Sequence, residues 1–311
     1  MNPADPGGAI AAPAAPGPAS RRPLPARASH FGPAAGGTGP DAAGLAFVAE
    51  MYGVQVDQLA AALGVSSQRA GAIAGRWVGR RLAQAERLSA GPRWVWLTRA
   101  GLTACGLAYA PSPPALPRLP HIRAVTAVRL ALQGAPGYAA AGAHWRSERR
   151  LRSRLGGRLG QRDHLPDAEV HWPEIPAGPP DGSGPPAGPG SGASQDQAGG
   201  SVTDLVVPGR PVPWAGECWA IEAELTPKTV RRTSAIMTEL LSRTGDYGCP
   251  AAEARVPGRP ARYARVIYLC SPAAAGPVSR ARAALGPAGA RIQIRALPEA
   301  GYLRGGRQAR R

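Results

Sequence analysis

The sequence predicts a mixed α/β protein. Three observations predict it. Helix-spaced apolar residues with clear end signals fill residues 41–108, alternating strand-like runs at 165–172 and 217–225 lie among helices, and Pro/Gly-rich stretches divide the chain. The chain has 311 residues, and with 41 Gly, 35 Pro and only 5% aromatic residues, not all of it can sit in packed cores. Its length allows roughly two domains, with cores built on Val, Leu, Ile and Ala.

Residues 1–40 are Ala/Pro/Gly with few large apolar groups, so they are expected to be disordered. Residues 41–108 read as one helical unit. Asp41 is placed to cap a helix carrying Leu45, Val48, Met51 and Tyr52, ended by Gly53. Val56, Leu59, Ala60 and Leu63 face one side of a second helix, ended by Gly64. Ser66 caps a third, with Ala70, Ile73, Ala74, Trp77 and Val78 inward. The short link Gly64-Val65-Ser66 suits two helices crossing steeply. A turn at Gly91-Pro92, a strand from Arg93 to Leu97, and a helix capped by Thr98 and running through Leu107 complete the outline of a winged helix-turn-helix. Its third helix would turn Gln68, Arg69, Arg76 and Arg80 outward, with Arg93 on the wing, within reach of phosphates and base edges. The same outline also serves protein docking.

Pro111 to Pro120 reads as a linker within residues 109–120. From 121 to 300 helices alternate with few strands. Ile122, Val125, Val128, Leu130 and Leu132 mark a helix at 121–133. Trp145 to Leu159 reads as another, loaded with Arg146, Arg149, Arg150, Arg152, Arg154 and Arg158. In the run 165–172, Leu165, Asp167, Glu169 and His171 share a face; in 217–225, Trp219, Ile221, Ala223 and Leu225 face a core while Glu222 and Glu224 face away together. Thr226-Pro227 starts a helix reaching about Arg243. A strand at 266–270, a helix at 278–285 and a strand at 291–295 close the unit. Residues 173–200 read as a disordered insert, and 301–311 as a basic tail.

The net charge of +17 predicts a polyanionic partner, double-stranded DNA. Its basic residues are Arg except for one, Lys228. No run of 18 apolar residues exists. Arg21-Arg22 leads into Pro23-Leu24-Pro25 rather than an apolar stretch, so export is not expected. Cys105, Cys218, Cys249 and Cys270 are widely spaced, as reduced cytoplasmic thiols are. His164 and His171 have no Cys or His at ligand spacing, so no zinc site is expected, and a P-loop is absent.

One constellation could carry chemistry: Glu148, Asp167, Glu222, Glu224 and Lys228. Carboxylates at i and i+2 of a strand point to the same side, and an Asp on a neighbouring strand completes a group able to hold a divalent cation. Lys228 would supply a compact positive charge one helical turn away. Solvated surface acids paired with arginines are the plainer reading.

Glu222-Ala-Glu-Leu-Thr-Pro-Lys228, preceded by Leu165-Pro-Asp167, resembles the PD-(D/E)xK nuclease-like core. The order of motifs adds to this: Trp96-Leu-Thr-Arg-Ala-Gly101, His121-Ile-Arg-Ala-Val-Thr-Ala-Val-Arg129, Trp145-Arg-Ser-Glu-Arg149, the acidic pair, then Tyr263-Ala-Arg-Val-Ile-Tyr268. Over roughly residues 45–298 the chain is similar to the actinobacterial replication-relaxation family, associated with plasmid and conjugative-element replication or mobilisation. The resemblance implies a DNA-binding protein with a nuclease-type domain and metal-dependent nicking. It implies Asp167, Glu222 and Glu148 as Mg²⁺ ligands, and Glu224 as a further ligand or the occupant of the usual lysine slot. Lys228 becomes a displaced catalytic lysine. Independently of the resemblance, the arginine run at 146–158 reads as a phosphate-tracking stripe, placing Arg149, Arg150 and Arg154 in the DNA-binding set, or as a solvated helix face. Asp204 competes with Asp167 for the second-strand position. The alternative is a non-catalytic regulator or a relaxase or replication accessory.

Overall fold

The structure is a computed structural model that describes residues 40–155, 164–173, 216–244 and 261–298. The expectations for residues 1–39, for Arg158, for the insert beyond Pro173, for Asp204, for Cys249 and for the basic tail lie outside the described residues.

Helix α1 (Pro40–Glu50) leads into the short strand β1 (Val54–Gln55) and helix α2 (Val56–Leu63). Asp41 lies inside α1 rather than capping it, and its carboxylate takes the Arg76 guanidinium at 3.1 Å. Gly64 ends α2 with φ 64, and its N–H returns to the carbonyls of Ala60 and Ala61, as expected of a left-handed helix stop. Ser66 caps α3 (Ser67–Gly79) by accepting from the Arg69 N–H at 3.2 Å. α3 buries Ala70, Ile73, Ala74 and Trp77. Gly44 on α1 makes that possible, because a Cβ there would come within 2.8 Å of the Trp77 ring. Val78 was expected inside; it is 40% exposed, since it lies off the stripe set by Ala70, Ile73, Ala74 and Trp77.

Strands β2 (Ala83–Glu86) and β3 (Trp94–Leu97) are antiparallel, and β1 adds to the far side of β3, giving the order β1-β3-β2. Arg93 lies just before β3 and is exposed. All four residues of β3 are buried. Val95 and Leu97 enter the core under α1–α3, while Trp94 and Trp96 pack on Leu119 and Ile122 of the next helix. Thr98 caps α4 (Arg99–Ala104), which stops earlier than expected.

Helix α5 (Leu119–Gly134) follows a 3₁₀ turn at Leu116–Arg118, and α6 (Pro136–Ala140) follows it. The strand β4 (His144–Ser147) precedes α7 (Glu148–Leu155). The predicted helix from Trp145 is corrected here: its first residues alternate buried and exposed as a strand does, and the dense arginines after them hid that short pattern. Then come β5 (Ala168–His171), β6 (Cys218–Glu224), α8 (Val230–Ser242), β7 (Arg265–Cys270), α9 (Pro272–Ala283) and β8 (Ile292–Ala296). α8 is capped by Thr229, not Thr226; the Thr226-Pro227 pair lies in the loop before it. α9 starts earlier than expected, with Ser271 as cap and Pro272 in its first turn.

The second sheet has the order β4-β5-β6-β7-β8. β4, β5 and β6 are antiparallel neighbours, and β6, β7 and β8 run parallel. Both faces are covered. Ala168, Val170, Trp219, Ile221, Ala223 and Leu269 pack with Val125, Val128 and Leu132 of α5, in a core that continues into α1–α3. On the other face Ala220, Val266, Tyr268 and Ile294 pack with Leu151, Met237, Leu240 and Val278. Glu222 and Glu224 lie on that second face and are each only 5% exposed, so the expectation that they face away holds only relative to the α5 side. Among the described residues no helix is long and apolar enough to cross a membrane.

Candidate functional site

Three places hold the residues singled out by the sequence. The first centres on the start of β5 and the end of β6. Ala168 pairs with Ile221, so Asp167 and Glu222 occupy the next step of the same antiparallel register. Asp167 Oδ1 sits 2.7 Å from His121 Nε2 on α5, and Oδ2 accepts the Ala223 N–H at 2.8 Å. Glu222 Oε1 sits 2.9 Å from His164 Nε2. Glu224 Oε2 accepts from Lys228 Nζ at 2.5 Å. Tyr268 is the parallel-strand partner of Glu222, and its buried hydroxyl meets no hydrogen-bond partner among the described residues.

Charge is distributed unevenly in this group. The negative charge of Asp167 holds His121 above the ordinary imidazole value. Burial pushes His164 down, yet the Glu222 carboxylate more than offsets it and leaves His164 raised. Burial would raise Asp167, but His121 and the Ala223 N–H bring it below its ordinary value. Glu222 goes the other way: burial, with the Asp167 charge added, raises it despite His164.

Glu148 stands beside this group at the start of α7. Its N–H donates to the Asp167 carbonyl at 2.9 Å, and its carboxylate takes Arg118 at 2.9 Å and Arg152 at 2.6 Å. Tyr52, Arg118, His121, Glu148, Arg149 and Asp167 line a shallow open cleft between α5 and α7.

The implied Mg²⁺ does not fit this arrangement. Mg²⁺ wants near-octahedral oxygen ligands. Asp167, Glu222, Glu224 and Glu148 are instead each held by a histidine, lysine or arginine of the chain. Among the described residues their oxygens do not bring three ligand atoms within 4.8 Å of one another.

The second place is the exposed side of α3. Gln68, Arg69, Arg76 and Arg80 are all exposed there, with Arg93 exposed before β3. A Cβ at Gly75 or Gly79 would meet nothing within 4 Å, so this side of the helix is open to close approach.

The third is α7, where the expected stripe divides. Arg150 and Arg154 are exposed. Arg149 is not a surface group, which corrects its place in the DNA-binding set. It is 6% exposed and donates to the Ala49 carbonyl at 2.7 Å and the Ala110 carbonyl at 2.8 Å. Its guanidinium lies 5.0 Å from the centres of the Tyr52 and Tyr109 rings.

Sequence reasoning missed the histidines. The chain has five, and among the described residues His121, His164 and His171 each meet a carboxylate. That scarcity was the available signal. A scan against protein-family models finds no match, and neither does a search of curated proteins or of solved structures.

Proposed function

We propose that this chain binds double-stranded DNA through a winged helix-turn-helix at 41–108 and acts in plasmid or mobile-element replication or mobilisation, as replication-relaxation proteins do. The observation that carries the reading is the exposed face of α3, where Gln68, Arg69 and Arg80 flank open glycines. α2, the 64–66 turn and α3 follow the order and capping of a helix-turn-helix, and β2 and β3 come next in the chain, in the order of a wing. Arginine forks suit phosphates and guanine edges, and exposed Val78 suits a thymine methyl.

In this reading the PD-(D/E)xK-like sheet is a non-catalytic platform. Its acids are already neutralised by His121, His164, Lys228 and Arg118, which is what favours this over metal-dependent nicking. A salt-titrated binding assay on duplex DNA, run beside supercoiled plasmid with Mg²⁺, tests both halves. Arg80→Ala should weaken binding several-fold and lower the salt slope by about one. The plasmid should stay supercoiled. Salt-insensitive binding overturns the DNA reading, and Mg²⁺-dependent nicking that Glu222→Ala abolishes overturns the non-catalytic one.

A further inference from the structure

We propose that His171, Cys218 and Glu169 form a three-ligand binding site for a thiolate-seeking divalent transition metal, zinc(II) by preference. The site goes beyond the DNA-binding reading and does not depend on it.

Strand pairing assembles it. His144 lies opposite His171 across β4 and β5, and His171 lies opposite Cys218 across β5 and β6. A cross-strand row puts side chains on one face about 5 Å apart at Cβ. Glu169, two residues before His171, shares that face. The ligand atoms are already close: His171 Nε2 is 3.5 Å from Cys218 Sγ and 2.9 Å from Glu169 Oε2. Tetrahedral zinc, with Zn–S of about 2.3 Å and Zn–N of about 2.0 Å, spaces sulfur and nitrogen at roughly 3.5 Å. The His144 ring stacks on His171 at 5.1 Å with the planes 11° apart and backs the ligating imidazole.

The carboxylate is pinned. Glu169 is fully buried; its Oε1 accepts from Tyr263 Oη at 2.8 Å and from Arg262 Nε at 2.7 Å, and its Oε2 accepts from Arg262 Nη2 at 2.7 Å, so the metal takes the place of the His171 contact on Oε2 while Arg262 stays on the carboxylate. Arg146, 3.9 Å from Glu169 and on the same strand as His144, is the cation a bound metal would push outward. Metal binding replaces the Cys218 thiol proton and leaves His171 Nε2 unprotonated, so protons are released to solvent. A thiolate and imidazole set selects zinc or a similar metal over Mg²⁺. Such an ion would tie β5 and β6 together at one end of the sheet.

The test titrates the full chain, stripped with a chelator, with Co²⁺ as the optical probe. The expected result is a near-ultraviolet thiolate-to-cobalt band that saturates at one ion per chain, is bleached by Zn²⁺ and is unmoved by excess Mg²⁺. Cys218→Ser should lose the band. His171→Gln should bind at least about tenfold more weakly. Cys105→Ser and Cys249→Ser should keep the band. No band with the unaltered chain, a band that persists in Cys218→Ser, or displacement by Mg²⁺ each overturns the site. The unaltered chain decides the matter even where a variant fails to fold.

Discussion

The α3 surface and the five-stranded sheet handle charge in opposite ways. Arginines stand on the surface of α3, and among the described residues the carboxylate that pairs with them, Asp41, holds Arg76 with both side chains about half exposed, at 51% and 40%. In the five-stranded sheet, acids are carried inside, covered on both faces, and each is matched to a basic group: Asp167 to His121, Glu222 to His164, Glu169 to Arg262. Exposed charge is free to meet a polyanion, because water screens its neighbours and little is lost when it moves. Buried charge is committed to its partner, because removing either member strands the other in a low-dielectric interior. An arginine count does not separate the two uses, and α7 shows why. Arg149 and Arg150 are adjacent in sequence, yet one is buried against two tyrosines and the other faces solvent.

The largest expected effect tests that division at Arg149. Arg149→Ala leaves the Ala49 and Ala110 carbonyls without their donor and empties the space between Tyr52 and Tyr109. Chemical denaturation should show a loss of about 2–4 kcal/mol. Arg150→Ala, by the same measurement, should stay within about 0.5 kcal/mol. Equal costs for the two would erase the contrast.

A smaller effect comes from pH. His121 and His164 are both raised above 6.5 in the folded protein. A raised imidazole contributes stability that is complete below 6.5 and disappears as pH climbs through the folded value. Stability should therefore fall on going from pH 6.5 towards the raised values, and His121→Gln should flatten that fall. Asp167, held low, acts only at the acid end: its contribution is present above 3.8 and is lost as pH drops through its folded value. A stability profile that rises above pH 6.5 would contradict the pairing in the sheet.

The smallest effect belongs to the exposed pair. Asp41→Ala should change stability by no more than about 0.5 kcal/mol. It should slightly tighten duplex binding in the salt-titrated assay, by releasing Arg76. A marked destabilisation would show that Asp41–Arg76 belongs with the buried kind.

Much of the candidate site was legible from the chain. The alternation around 165–172 and 217–225 put Asp167 and Glu222 on strands, and the sheet makes those strands neighbours. Lys228 does return to the acidic pair, at Glu224. What the chain could not show were the partners that change the meaning of these acids. His121 is 46 residues from Asp167 and His164 is 58 from Glu222, and no local pattern links them. The row His144–His171–Cys218 is hidden for the same reason, since its members become neighbours only when three strands pair.

Local signals determined the helices with caps and stops: Ser66, Gly64 and Thr98 act within a turn or two of the chain, where sequence distance and spatial distance agree. The amphipathic stripes of α2 and α3 follow from the same short range. Tertiary structure alone decided which charges are buried and whom they meet. Burial and ion pairing are properties of packed surfaces, and residues far apart in the chain are brought together only by the sheet and the helices that cover it.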